Sequence, residues 1–167
     1  MTIDSFRRLI LFVVLCMVQA LVLNRVHLFN YAIPLFYVYF VLSFPRNYPK
    51  WAILLWSFAM GLFVDIFANT PGLAAASMTL IAAIQPYYLE LFVPRDSAEN
   101  MKPTIQTLGP SKYSTYIVPL TLLYCIVFYS LEFFNFYNWM QWLFCVVGST
   151  AITLVLIYTF EIFKSRQ

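Results

Sequence analysis

The chain has 167 residues, 62% of them hydrophobic and 10% charged, with a net charge of +3 and a mean hydropathy of +0.78. Soluble domains are about half apolar and a quarter charged, so this composition points to a polytopic membrane protein: one all-α bundle over residues 1–167, with no room for a second domain. The basic residues are scattered over short segments between apolar runs, which excludes a nucleic-acid surface and makes them reporters of topology in the bilayer.

Six apolar segments follow one another, at about 8–24, 31–44, 50–69, 71–93, 113–134 and 139–163. The first has the outline of a signal peptide: Arg7-Arg8, an apolar run from Leu9 to Leu23, and Val18-Gln19-Ala20 as a weak cleavage site. Because the rest of the chain is also apolar, it reads as a retained signal anchor. The second holds only about fourteen strongly apolar residues, with Pro34 near its start and Phe44-Pro45 at its end. It is either a kinked span that borrows residues 27–30 or a re-entrant segment. The other five have the length of about 20 residues that a spanning helix needs.

Charge bias separates the topologies. With six spans, Arg7, Arg8, Arg46, Lys50, Arg95, Lys102, Lys112, Lys164 and Arg166 share one side, and only Arg25 lies opposite. That is a positive-inside pattern with both termini cytoplasmic. With five spans, Arg7 and Arg8 would precede the first helix on the outside. Charges before the first helix usually set orientation, so six spans are expected.

Trp51 and Trp56, Tyr113 and Tyr116, and Trp139 and Trp142 cluster near segment ends and read as interfacial belts rather than a ligand cage. Cys16, Cys125 and Cys145 fall within apolar runs, without metal-ligand spacing, and read as small core residues. Residues 94–112 carry three prolines, a glycine and charges of both signs. They are expected to form an irregular cytoplasmic loop, as a plain connector or a docking surface. His27, near Arg25 in an outer loop, reads as an interfacial polar residue. No nucleophile elbow, phosphate-cradling loop or zinc spacing occurs in the sequence, so no catalytic residue, cofactor or metal is expected.

The polar residues within the apolar segments remain. Asp65 lies fifteen residues beyond Lys50, about 22 Å along a helix at ~1.5 Å per residue. A carboxylate at that depth is costly. It stands near the C-terminal end of its own helix, where the dipole disfavours negative charge. The next helix carries a start signal of its own in Asn69-Thr70-Pro71, a polar cap and then a first-turn proline. A capping role for Asp65 is therefore not required. The residue is expected to face the bundle interior or a watery cleft with a partner, as a structural contact, as part of a cavity, or in a protein contact or proton role. Ala74, Ala75, Ala76, Ser77, Ala82 and Ala83 suit close helix packing, as do Gly148, Ser149, Thr150 and Ala151. Gln85 precedes Pro86 and is placed to help satisfy the carbonyl that the proline frees. Glu90 reads as snorkelling into headgroups. Glu132 either shares an outer polar cleft with Asp65 or is an interfacial end residue.

From Gly61 to Met78 the sequence resembles MreD, the bacterial rod shape-determining membrane protein family. Gly61, three residues, Asp65, five residues and Pro71-Gly72-Leu73 form the matching pattern, which ends the third segment and opens the fourth. Length, number of segments and charge layout are similar along the chain. The likeness around Ser130–Phe133 and Gly148–Thr153 is looser, and the whole looks most like the versions from Bacteroidetes-type bacteria. The resemblance implies a non-enzymatic protein of the bacterial inner membrane. It would bind MreC within the cell-wall elongation complex of MreB, RodA and a penicillin-binding transpeptidase, supporting rod shape and lateral peptidoglycan synthesis. It also implies a fold similar to the S components of energy-coupling-factor transporters. Asp65, Gly61, Asn69, Thr70, Pro71, Gly72 and Glu132 would then shape an outward pocket or pack its helices. The alternative is an S component that captures a vitamin in the same cavity. Its polar inventory of Asp65, Asn69, Thr70, Glu132 and Asn135 is thin for a tight small-molecule site.

Overall fold

A computed structural model gives the fold and describes residues 2–21, 34–93, 101–133 and 139–165. Arg25, His27, Asn135 and residues 94–100 of the expected loop lie outside them. The order is α1 (Thr2–Leu21), α2 (Val38–Leu42), α3 (Lys50–Ala68), α4 (Leu73–Glu90), α5 (Ile105–Leu108), α6 (Pro110–Glu132) and α7 (Trp139–Ser165). No strand occurs among the described residues.

Three of these helices, α3, α6 and α7, are long and apolar enough to cross a membrane, and Arg8–Gln19 of α1 forms a shorter apolar stretch. The sequence reading expects six spans. Among the described residues α4 falls short because Ser77, Thr79, Gln85, Tyr87, Tyr88 and Glu90 dilute its apolar run. The large apolar side chains left exposed include Leu55, Phe58, Phe63 and Ile66 on α3 and Phe144, Val147, Val155 and Ile162 on α7. Such a surface is stable against lipid and not against water.

The second segment departs furthest from a spanning helix. Its helix α2 has five residues, about 7.5 Å at ~1.5 Å each, and all five are buried. A hydrocarbon core is about 30 Å thick, so α2 cannot cross it alone. It is instead part of a return leg. Phe12 lies edge-on to Trp56 and Cys16 Sγ lies 3.2 Å from Met60 Sδ, an equal offset that makes α1 and α3 parallel. The chain between them must therefore come back. It passes Gln19, whose amide donates to the Pro34 carbonyl at 2.9 Å, and leaves beside Arg8, whose guanidinium lies 5.4 Å from the Phe44 ring centroid. The leg thus runs antiparallel to α1, from Gln19 at its start to Arg8 at its end.

Tyrosines hold this leg in place. The Tyr37 and Tyr124 hydroxyls hydrogen-bond each other. Tyr39 donates to Glu161 at 2.6 Å, and the Leu35 N–H donates to Thr153 at 3.0 Å. Tyr116 donates to the Leu42 carbonyl at 3.2 Å and accepts from the Gln85 amide at 2.9 Å. Tyr113 and Tyr116 are therefore core residues, fully buried, and not members of an interfacial belt. Their position near a segment end is correct, but they lie on the helix face that α2, α4 and α7 cover. Trp51 and Trp139, by contrast, are exposed at helix starts, 71% and 63%. Gln85 also differs from expectation. Its amide donates to Tyr116 and to the Phe44 carbonyl at 3.3 Å, so it serves the return leg rather than the carbonyl freed by Pro86.

Residues 101–112 are more ordered than an irregular loop. Thr104 and Thr107 form a reciprocal capping box that starts α5. Gly109, at φ +81°, turns the chain into α6, where Pro110 takes the first position. Leu108 is buried, and Arg46 N–H donates to the Met101 carbonyl at 3.2 Å. The three cysteines are free and buried, as the sequence suggests.

Replacing Tyr116 with Phe strands the Leu42 carbonyl and one Gln85 N–H in the core. Each stranded group costs roughly 1–3 kcal/mol. The expected outcome is a lower unfolding midpoint in detergent micelles, while Tyr88→Phe, which removes an exposed hydroxyl contact to Thr115, changes it little.

The α3–α4 joint as candidate functional site

α3 and α4 make the most extensive helix contact in the bundle. They run antiparallel: Lys50 lies 4.0 Å from the Tyr87 ring centroid at one end, and Asp65 reaches Ala74 at the other. Gly61 sets their separation. A Cβ built there would lie 2.4 Å from Ala75 Cα and 2.6 Å from Ala75 N, so only glycine lets the two backbones meet. Asp65 follows one helical turn later on the same face.

Local chemistry explains the turn. Asn69 closes α3 in the left-handed conformation, φ 57° and ψ 37°, which asparagine tolerates better than most residues. Its N–H and that of Thr70 both donate to the Asp65 carbonyl, the latter at 3.1 Å, a Schellman-type ending. Pro71 and Gly72 then reverse the chain. Gly72 takes φ +85°, and Leu73 N–H reaches the Thr70 carbonyl at 3.4 Å, as a Pro-Gly type II turn requires. Gly72 is also the residue before α4, and it has no side chain with which to cap it.

Asp65 supplies that cap from across the turn. The Ala74 N–H donates to Oδ1 at 2.8 Å and the Ala75 N–H to Oδ2 at 2.9 Å. The Thr70 hydroxyl donates to Oδ1 at 3.0 Å. The carboxylate is 5% exposed. Ala74 and Ala75 are the second and third residues of α4, whose N–H groups an N-terminal cap normally satisfies. The expectation that no cap is needed from Asp65 is therefore corrected. Asn69-Thr70-Pro71 does not start α4, because Asn69 ends α3 and Pro71 lies in the turn. The dipole argument also reverses: Asp65 sits at the C-terminus of α3 but faces the positive N-terminus of α4. In a low-dielectric interior these charge-assisted bonds are strong, and the helix end would otherwise be unsatisfied.

The proposed site residues thus divide. Gly61, Asp65, Thr70 and Gly72 build one joint. Asn69, Pro71 and Gly72 are exposed in its turn. Glu132 is exposed at the last turn of α6. It is not among the groups that bind the Asp65 carboxylate.

A second buried carboxylate, Glu161, escaped the sequence reading. It is 2% exposed, accepts from Tyr39 at 2.6 Å and lies 3.8 Å from Lys164 Nζ. The signal was present as spacing: Thr153, Ile157 and Glu161 recur every fourth residue on one face of α7, and all three are buried. Among the described residues no group of His, Cys, Asp and Glu could hold a metal ion. Comparison with protein-family models, with curated proteins and with solved structures finds no match to this chain.

Asp65→Ala leaves the Ala74 and Ala75 N–H groups without acceptors, at roughly 1–3 kcal/mol each. Asp65→Asn keeps one acceptor oxygen. The unfolding midpoint in micelles is expected to fall in the order wild type, Asn, Ala. Gly61→Ala forces the α3 and α4 backbones apart and is expected to cost at least as much as core overpacking does, about 1–3 kcal/mol. Equal midpoints for Gly61→Ala and wild type would contradict the close approach.

Proposed function

We propose that this chain is a non-enzymatic membrane scaffold of the MreD kind, a six-pass protein of the bacterial inner membrane with both termini cytoplasmic. In this reading it binds MreC and supports the cell-wall elongation complex with MreB, RodA and the penicillin-binding transpeptidase. One observation carries the reading. The pattern by which the sequence resembles that family, Gly61, Asp65 and Pro71-Gly72, corresponds to a single physical device, the close and capped α3–α4 joint. A device of that kind fixes shape and does not process a substrate. Supporting it, a positive-inside charge layout and the parallel course of α1 and α3 both suit an even number of passes.

The transporter S-component reading is weaker at the same place. A substrate site needs convergent polar groups with free valence. The Asp65 oxygens are occupied by Ala74, Ala75 and Thr70.

The test is a mild-detergent pull-down of the tagged chain from its native membrane, with mass spectrometry of the retained proteins. MreC and wall-elongation enzymes are the expected companions. Transporter ATPases with a coupling subunit would overturn the scaffold reading. In cells that carry only the Asp65→Ala chain, rod shape is expected to fail while membrane insertion persists, because removing a charge eases insertion. Normal rods would count against a shape-maintaining role for the joint.

A further inference from the structure

At the end of the bundle opposite the Asp65 joint lies a cavity of about 240 Å³. Three cations line it from three parts of the chain: Arg8 from α1, Lys102 from the segment before α5, and Lys164 from α7. Tyr39, Ser43 and Thr104 add hydroxyls, and among the described residues no acidic side chain lines it. Lys164 has a partner in Glu161 at 3.8 Å behind the wall. The Arg8 guanidinium lies over the Tyr48 ring, 3.7 Å from the centroid, a cation–π contact that holds it at the cavity wall.

A second feature begins where this cavity ends. α1 packs on α2 and α3 and leaves an apolar groove of about 400 Å³ on its other side, lined by Ile10, Val14, Val18, Phe36 and Phe160. Leu11 lines both the cavity and the groove, so the two adjoin along α1. From Arg8 to Val18 is ten residues of helix, about 15 Å, or half of a hydrocarbon core of about 30 Å. Cavity and groove together therefore extend about one leaflet along α1. Their polar mouth is at the end where cations accumulate.

We propose that the cavity and groove together form a binding site for one anionic phospholipid, its phosphate among Arg8, Lys102 and Lys164 and an acyl chain along α1 toward Phe36 and Phe160. Charge complementarity at the mouth and apolar lining at leaflet depth are the two halves of such a ligand. The proposal does not depend on the scaffold reading, and stands or falls with the lipid measurement alone.

The experiment is native mass spectrometry of the full chain in micelles doped with palmitoyl-oleoyl phosphatidylglycerol or with the phosphatidylcholine of the same chains. One phosphatidylglycerol is expected to stay bound, with phosphatidylcholine retained at least several-fold less. Lys102→Gln, at an exposed residue, is expected to lower retention about five-fold, the scale of one basic residue at an anionic surface. Val14→Trp, at an exposed groove position, is expected to abolish retention with every charge intact. Each variant's unfolding midpoint without lipid is measured alongside, and should match wild type. Equal retention of the two lipids would overturn the proposal. So would full displacement by inorganic phosphate, which would mark a simple anion site, or a lipid-free dimer whose formation Val14→Trp blocks.

Discussion

One carboxylate between two antiparallel helices organises one end of this bundle. Asp65 ends α3 with its backbone carbonyl and begins α4 with its side chain. The arrangement solves the problem of a buried helix start, whose first N–H groups have no water to satisfy them. A cap at the preceding residue is the usual answer, but that residue is Gly72, which the turn needs for its positive φ. The two demands conflict at one position, and placing the acceptor on the neighbouring helix resolves the conflict. Gly61 is part of the same solution, because a wider helix separation would carry Ala74 and Ala75 away from the carboxylate.

The other half of the bundle depends on tyrosine. The short leg through α2 has a backbone that turns too often to satisfy itself. Tyr37, Tyr39, Tyr116 and Tyr124 bring apolar rings and polar tips together, so burial and hydrogen bonding come from the same side chains. Gln85 and Thr153 complete the set. A leucine core of equal volume would bury similar area but leave the Leu42 and Phe44 carbonyls unmet.

Much of this was legible in the sequence, for identifiable reasons. Lys50 and Trp139 begin their helices where charge and aromatic residues bound an apolar run, and α3 ends within a residue of expectation. The second segment was recognisable as too short because length is a property of sequence alone. What failed was face and partner. Tyr113 and Tyr116 stand near a helix end, but nothing local says which neighbours cover them. The role of Asp65 was hidden for a related reason: its acceptors serve donors nine and ten residues later, across a chain reversal, while local capping rules look two or three residues ahead. The four-residue spacing from Gly61 to Asp65 was the available clue, since it puts a contact-permitting and a charged residue on one face. The same spacing from Thr153 through Ile157 to Glu161 went unread.

The complete burial of α2 has a consequence for how the protein is made. Membrane proteins are delivered to the bilayer segment by segment as translation proceeds. A five-residue helix with proline on both flanks has little to recommend it to lipid as an isolated segment. α1 and α3 cover part of it, but the rest of its shelter belongs to α4, α6 and α7, which leave the ribosome afterwards. The return leg must therefore wait, held near the insertion machinery or at the membrane surface, until the later helices close around it. An early part of the chain thus completes its packing only when later parts have arrived.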